Sequence, residues 1–183
     1  MRIISGKYRN RNLKTAGHYR PTTDRVRETL FNILQSDLHG CVFVDAFAGS
    51  GAVGIEALSR GARMVYFLES HRKALEVLES NLLLCKDGAA WRIYSVPVPR
   101  ALEEVRRSEP AVDFVFYDPP YDFGGYTRLL ENAVQLFPEA LHILETSVRS
   151  TYDTPESAAL VKDRSIGETR LAFFTANPRP VQS

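Results

Sequence analysis

The chain has 183 residues, of which 44% are apolar and 25% charged, with 23 Lys/Arg against 22 Asp/Glu and two cysteines. That length suits a single domain spanning 1–183, with enough chain to bury a substantial core. The composition belongs to an ordinary globular protein and excludes a disulfide framework, and no apolar run is long enough for a membrane span.

The near-zero net charge conceals an asymmetry. Residues 1–27 hold eight Lys/Arg and a single acid, Asp24, so the remainder of the chain is net acidic. Ile3, Ile4, Tyr8 and Leu13 interleave with these charges, and Gly6 and Gly17 punctuate them. Such a pattern predicts a basic hairpin over residues 1–20 rather than a solvated tail, and it predicts a polyanionic partner. Arg2, Lys7, Arg9, Arg11 and Arg20 are the candidate contacts to a nucleic acid. Met1–Lys7 lacks the apolar core of a signal peptide, so a cytosolic, non-membrane protein is expected.

Pro21-Thr22-Thr23-Asp24 reads as a helix start with a hydroxyl cap, and Val26, Leu30, Ile33 and Leu34 continue it at helical spacing to about Gln35. Residues 41–45 form a short apolar strand, and Val53 to Arg60 a helix stopped by Gly61. A strand over 64–69 precedes a long helix whose stripe is Leu75, Leu78, Leu82 and Cys85. A weaker strand over 91–94, a short helix over 101–107 and a strand over 112–117 follow. A helix near 126–136, a strand over 141–144 and two strands between Leu160 and Thr175, turning at Ile166-Gly167, complete the chain. Strands alternating with helices predict an α/β fold with a mostly parallel sheet, helices on both faces and an antiparallel C-terminal edge. Cys41 and Cys85 fall on apolar positions and His18, His39, His71 and His142 form no cluster, so no metal is expected.

Asp45-Ala46-Phe47-Ala48-Gly49-Ser50-Gly51 joins the first strand to its helix. Glycines there let backbone approach a ligand and leave helix-start amides free. Phe47, Gly49, Ser50 and Gly51 are therefore candidate cofactor contacts. Glu69, at the end of the second strand, is placed to accept the two hydroxyls of a ribose. Asp45 separates two ligand classes. A pyrophosphate would meet a like charge there, whereas the sulfonium and ammonium of S-adenosylmethionine would be stabilised. At an effective dielectric near 20, a unit-charge interaction across ~4 Å is on the order of 4 kcal/mol. A cap on the following helix is the weaker alternative for Asp45.

Asp118-Pro119-Pro120-Tyr121 ends the most apolar strand. The prolines stop the ladder, but they do not by themselves account for the flanking acid and aromatic ring. In a doubly wound sheet, strands one and four adjoin where the strand order reverses, which brings Asp118 beside Asp45. The Asp118 carboxylate and the Pro119 carbonyl are two acceptors for the N–H bonds of an exocyclic amine, aiming its lone pair at a methyl group. Tyr121 offers a face for a planar base.

These residues resemble the class I amino-methyltransferases with an Asp-Pro-Pro-Tyr motif. Arg2-Ile3-Ile4-Ser5-Gly6, the run from Arg20 to Glu28, Phe31-Asn32-Ile33-Leu34 and Arg164–Thr169 are similar to the bacterial family that methylates a guanine N2 in small-subunit (16S) ribosomal RNA. The resemblance implies a Rossmann-like, seven-stranded methyltransferase fold using S-adenosylmethionine. It implies that Asp118 and Pro119 engage the amine, that Tyr121 stacks on guanine, and that the arm grips ribosomal RNA in an assembled or nearly assembled subunit. A monomer is expected. One departure stands out: the acid usual after the third strand is absent from Ser95-Val96-Pro97-Val98-Pro99, leaving adenine to backbone and apolar contacts. DNA adenine-N6 methylation and a non-catalytic RNA-binding module on the same fold are the competing readings.

Overall fold

The computed structural model describes residues 1–15, 22–85, 88–120 and 123–177. In chain order the elements are α1 (Asp24–Ile33), β1 (Val42–Ala46), α2 (Ala52–Ser59), β2 (Met64–Leu68), α3 (Arg72–Leu82), β3 (Ala90–Tyr94) and α4 (Val98–Ser108). Then come β4 (Phe114–Tyr117), α5 (Tyr126–Leu136), β5 (Leu141–Ser147), β6 (Ala158–Ile166) and β7 (Thr169–Ala176). The seven strands lie in the order β3-β2-β1-β4-β5-β7-β6. The first five run parallel, while β7 is antiparallel to both β5 and β6. This is the Rossmann-like class I methyltransferase sheet expected from the alternation of strands and helices.

Burial follows the period of two in the strands. Phe43, Val65, Phe67, Phe114, Phe116 and Ile143 point to one face, where they pack with α1, α2 and α3. Val42, Val44, Tyr66, Val115, Tyr117 and Leu144 point to the other, under α4 and α5. Every residue of β1 and β4 is buried, as strands covered on both sides must be. Gly54, in α2, lies so close to the sheet that a Cβ there would come within 2.3 Å of the Phe67 ring. The helix can therefore sit directly over β2 only because position 54 lacks a side chain.

Element boundaries differ from expectation in a few places, each for a local reason. α4 begins at Val98 rather than Ala101, because Pro97 occupies the N-cap and Pro99 sits in the first turn, where a missing N–H costs nothing. Cys85 lies beyond α3 in a single 3-10 turn spanning Leu83–Cys85, although it is buried as its stripe position implied. β5 runs on to Ser147, because β7 pairs with it from His142 to Ser147.

The N-terminal arm is a hairpin-like loop. Ile3 donates to the Arg11 carbonyl at 3.0 Å, Asn10 to Ile3 at 2.9 Å and Leu13 to Met1 at 2.9 Å. Ile3, Tyr8 and Leu13 are buried in the core beneath α1, α2 and α3. The arm is thus an integral part of one face of the sheet, and its apolar residues explain why it is no tail. Residues 16–20 of the expected hairpin lie outside the described residues.

Candidate active site

The loop after β1 is built from unusual backbone. Phe47, Gly49 and Gly51 all have positive φ, at 63°, 55° and 77°. For Phe47 this is a sparsely populated conformation for a bulky residue, of a kind that clusters at ligand sites. Its ring is held edge-on by Phe123, 5.5 Å between centroids. Gly51 is N-cap of α2, and a Cβ there would meet Leu78 at 2.3 Å. Gly49 has almost nothing near the corresponding position, its nearest atom being the Phe47 carbonyl at 3.9 Å. The loop is thus closely packed at Gly51 and open at Gly49, where a ligand can approach the backbone.

Glu69 and Asp45 flank that loop, with Asp118 near enough to act on Asp45. Glu69 accepts from the Gly49 amide at 2.9 Å through Oε2 and from the His71 amide at 2.7 Å through Oε1. Each carboxylate oxygen has a second lone pair, so the fixed group retains acceptor capacity for ribose hydroxyls. Asp45 is buried, and its Oδ2 accepts from the Gly54 amide at 2.8 Å. The capping role that the sequence ranked second is therefore real, and one oxygen is committed to holding α2. Burial raises the Asp45 carboxyl well above its usual range, the Gly54 amide opposes this, and the neighbouring Asp118 and Glu69 charges add to it. A cation suits this site, and the pyrophosphate of a dinucleotide does not. The donor set fits the sulfonium and α-ammonium of S-adenosylmethionine.

Asp118 stands one strand away. β1 and β4 pair in the register Asp45↔Phe116 and Ala46↔Tyr117, and the Asp118 amide continues the ladder to the Ala46 carbonyl at 3.3 Å. The strand order reverses between these two strands, so the loop and the Asp-Pro-Pro segment adjoin at the point where open α/β sheets bind ligands. Burial pushes the Asp118 carboxyl up to about 7, while a hydrogen bond from Thr22 lowers it. Pro119 is buried and Pro120 exposed. Tyr121 lies outside the described residues, as does Arg20.

Of the arm's cations, Arg2, Lys7, Arg9 and Arg11 have exposed side chains. Lys7 and Arg11 both lie over the Tyr8 ring, 5.5 and 5.0 Å from its centroid, and Arg11 also donates to the Leu84 carbonyl. Arg27, counted with the basic cluster, has a different role. It is 0% exposed, and its guanidinium donates to the Arg2 carbonyl at 2.8 Å and to Asp24 at 2.7 Å. It holds the arm against α1 and is unavailable to a polyanion.

Four residues at the site escaped the sequence reading. Within the Pro21-Thr22-Thr23-Asp24 helix start, Thr23 is the cap, its hydroxyl accepting from Val26. The Thr22 hydroxyl instead lies 3.3 Å from Asp118 Oδ2 and 3.1 Å from Glu145 Oε2. Glu145 itself is 8% exposed on β5. Asn81 donates through Nδ2 to the Ser50 carbonyl at 2.9 Å and to the Lys14 carbonyl at 3.0 Å, joining the glycine loop to the arm. Glu56, fully buried in α2, accepts from the Ile4 and Ser5 amides at 2.8 and 3.0 Å. Glu56 and Asn81 each carried a legible signal: a polar side chain on the apolar face of its helix.

Comparison with known proteins agrees with this arrangement. A ribosomal RNA small subunit methyltransferase D of Haemophilus influenzae is 38% identical over 178 residues, covering 91% of this chain and 89% of that protein. The protein of the same name from Escherichia coli K12 is 37% identical over 180 residues, covering 95% and 89%. A solved Escherichia coli structure, described as a candidate methyltransferase, superposes with a TM-score of 0.75 at 33% identity, over 98% of this chain and 99% of that one. A more distant methyltransferase-type structure solved with S-adenosylhomocysteine, 14% identical with a TM-score of 0.69, shares the fold over 91% of this chain and 52% of its own. The model of the family described as conserved hypothetical protein 95 matches residues 1–175, and the chain belongs to that family, alongside the small-subunit ribosomal RNA methyltransferases D.

Proposed function

We propose that this protein transfers a methyl group from S-adenosylmethionine to the exocyclic N2 amine of a guanine in small-subunit ribosomal RNA, presented by an assembled or nearly assembled subunit. The reading includes a cytosolic monomer as the acting species. The observation that carries it is the adjacency of two segments: the loop of Asp45 and Glu69 beside the amine acceptors Asp118 and Pro119, at the reversal of strand order. Ribosomal RNA as substrate is supported by the names of relatives at 37–38% identity and by the exposed cations of the arm. Guanine N2 is supported by the resemblance of the N-terminal signature.

When bound, S-adenosylmethionine supplies an electrophilic methyl on a positively charged sulfur. The chain's own groups do the rest. Asp45 offsets the positive charge and Glu69 accepts from the ribose. The Asp118 carboxyl and Pro119 carbonyl accept the two amine N–H bonds, which turns the nitrogen lone pair away from the ring and toward the methyl. Tyr121 supplies the stacking face. The β3–α4 connection carries no acid, so Val96 and backbone groups meet the adenine.

Small-subunit particles lacking the modification, incubated with labelled cofactor, should gain label that co-migrates with N2-methylguanosine after digestion. Label on adenine, or on protein alone, would overturn the reading. Calorimetry with S-adenosylmethionine separates the non-catalytic module, which would show no binding at high micromolar concentration. Asp118→Ala should lower transfer by roughly 100-fold or more while RNA affinity stays within about twofold. Near-normal turnover would remove Asp118 from the centre.

A further inference from the structure

β4 and β5 pair in the register Phe116↔Ile143 and Tyr117↔Leu144. One step further, that register sets Asp118 opposite Glu145, and the period of two turns both toward the face that carries α1. Thr22, the residue before the cap of α1, reaches over the rim there. Its hydroxyl oxygen is 3.3 Å from Asp118 Oδ2 and 3.1 Å from Glu145 Oε2. Thr22 and Glu145 are 7% and 8% exposed.

A hydroxyl has one proton and two lone pairs. It cannot donate to both carboxylates at once, so with both carboxyls ionised one of the two Thr22 contacts lacks a proton. With the proton on Asp118, the Thr22 contact to it reverses, and the chain runs from Asp118 O–H to Thr22 oxygen and from Thr22 O–H to the Glu145 carboxylate. Burial pushes the Asp118 carboxyl up to about 7, so its titration falls in the neutral range.

Resting on the proposed amine methylation, we propose that Asp118, Thr22 and Glu145 form a proton relay that removes the proton released by the amine. The nitrogen–carbon bond forms as the carbon–sulfur bond breaks, and the sulfur keeps the bonding pair. The nitrogen, positively charged at that moment, gives one proton to the other Asp118 oxygen, Oδ1. The proton on Asp118 Oδ2 passes to Thr22 oxygen, and the Thr22 proton passes to Glu145. Glu145 ends neutral, the amine ends neutral, and Asp118 again carries one proton. Asp118 is the catalytic member because it touches the amine. Thr22 and Glu145 act through it.

The test is single-turnover methyl transfer to small-subunit particles by the full chain, alongside particle affinity and melting temperature. Thr22→Val and Glu145→Gln should each slow the transfer step by roughly 10- to 100-fold, with particle affinity unchanged within about twofold. Glu145→Gln keeps an acceptor for the Thr22 hydroxyl but takes up no proton, which distinguishes a relay from simple positioning. Thr22→Ser, which keeps the hydroxyl, should restore the rate to within about threefold of wild type. A wild-type rate in Glu145→Gln, or in Thr22→Val, overturns the relay while leaving the guanine reading intact. Failure of Thr22→Ser to recover also overturns it, since packing rather than the hydroxyl would then matter. If the wild-type chain transfers no methyl to the particles, the guanine reading and the relay fall together.

Discussion

Gly6 has φ 81°, and a Cβ on it would lie 1.8 Å from the Ser59 carbonyl oxygen. No side chain fits there, because the obstacle is backbone and the conformation is left-handed. Around this contact the arm is bonded to α2: Lys7 donates to the Ser59 carbonyl at 2.7 Å, Tyr8 to the Ser59 hydroxyl at 2.9 Å, and Ile4 and Ser5 to Glu56. Gly6→Ala should therefore lift the arm and cost on the order of 2 kcal/mol of stability, a fall of several degrees in melting temperature. Thermal denaturation measures the loss, and an unchanged midpoint would show that the arm contributes little to folding. Glu56 and Arg27 show the same economy at opposite charges. Each is fully buried and each binds main-chain groups of the arm, so each is a fastening rather than a surface charge.

At the scale of elements, β4 and β5 are joined across the second face by Tyr117 and His142. The Tyr117 hydroxyl lies 2.9 Å from His142 Nδ1, and His142 Nε2 lies 3.0 Å from the Phe137 carbonyl. The carbonyl can only accept, so Nε2 carries the proton and Nδ1 accepts from the tyrosine. Burial lowers the His142 pKa from 6.5 to about 4, with the Phe137 carbonyl opposing. Between those two values the unfolded chain binds a proton that the folded chain refuses, so this group's contribution to stability falls as the pH falls. The raised carboxyls of Asp45 and Asp118 act in the opposite sense, losing stability as the pH rises through their titration. Comparison with His142→Phe isolates the first effect. The variant should be less stable near neutrality, by about 1–3 kcal/mol for two unpaired polar groups, and its stability should depend less steeply on pH below 6.5, by up to one proton. Parallel pH curves for the two proteins would remove His142 as the titrating group. In the proposed reaction the strand junction matters because β4 and β5 deliver Asp118 and Glu145 to the same rim.

Across the whole molecule, one face of the sheet carries the arm, α1, α2 and α3, and the glycine loop opens at its carboxyl rim. Asn81 links the two by bonding both Ser50 and Lys14, so the basic arm and the glycine loop share a rigid mount. Arg9, exposed on this mount, should contribute one phosphate contact. Arg9→Glu is expected to weaken RNA binding and lower the slope of log K against log salt by roughly one unit. Filter binding across a salt series gives the slope, and an unchanged value would leave Arg9 outside the interface.

Much of this protein is legible in its sequence. The alternation of apolar strands and helices determined the doubly wound sheet, because buried parallel strands and amphipathic helices have different periods. That Asp45, Glu69 and the Asp-Pro-Pro segment end strands at one rim was legible, because topology rather than detailed packing places strand ends. Tertiary structure alone decided which polar groups meet across long separations. Thr22, Asp118 and Glu145 are 96 and 123 residues apart along the chain from Thr22, and only the β4–β5 register and the docking of α1 unite them. The same holds for Arg27, whose charge in the sequence suggested a partner outside the molecule and whose burial gave it one inside. Local pattern sets which elements form, while pairing register and close packing decide which side chains touch.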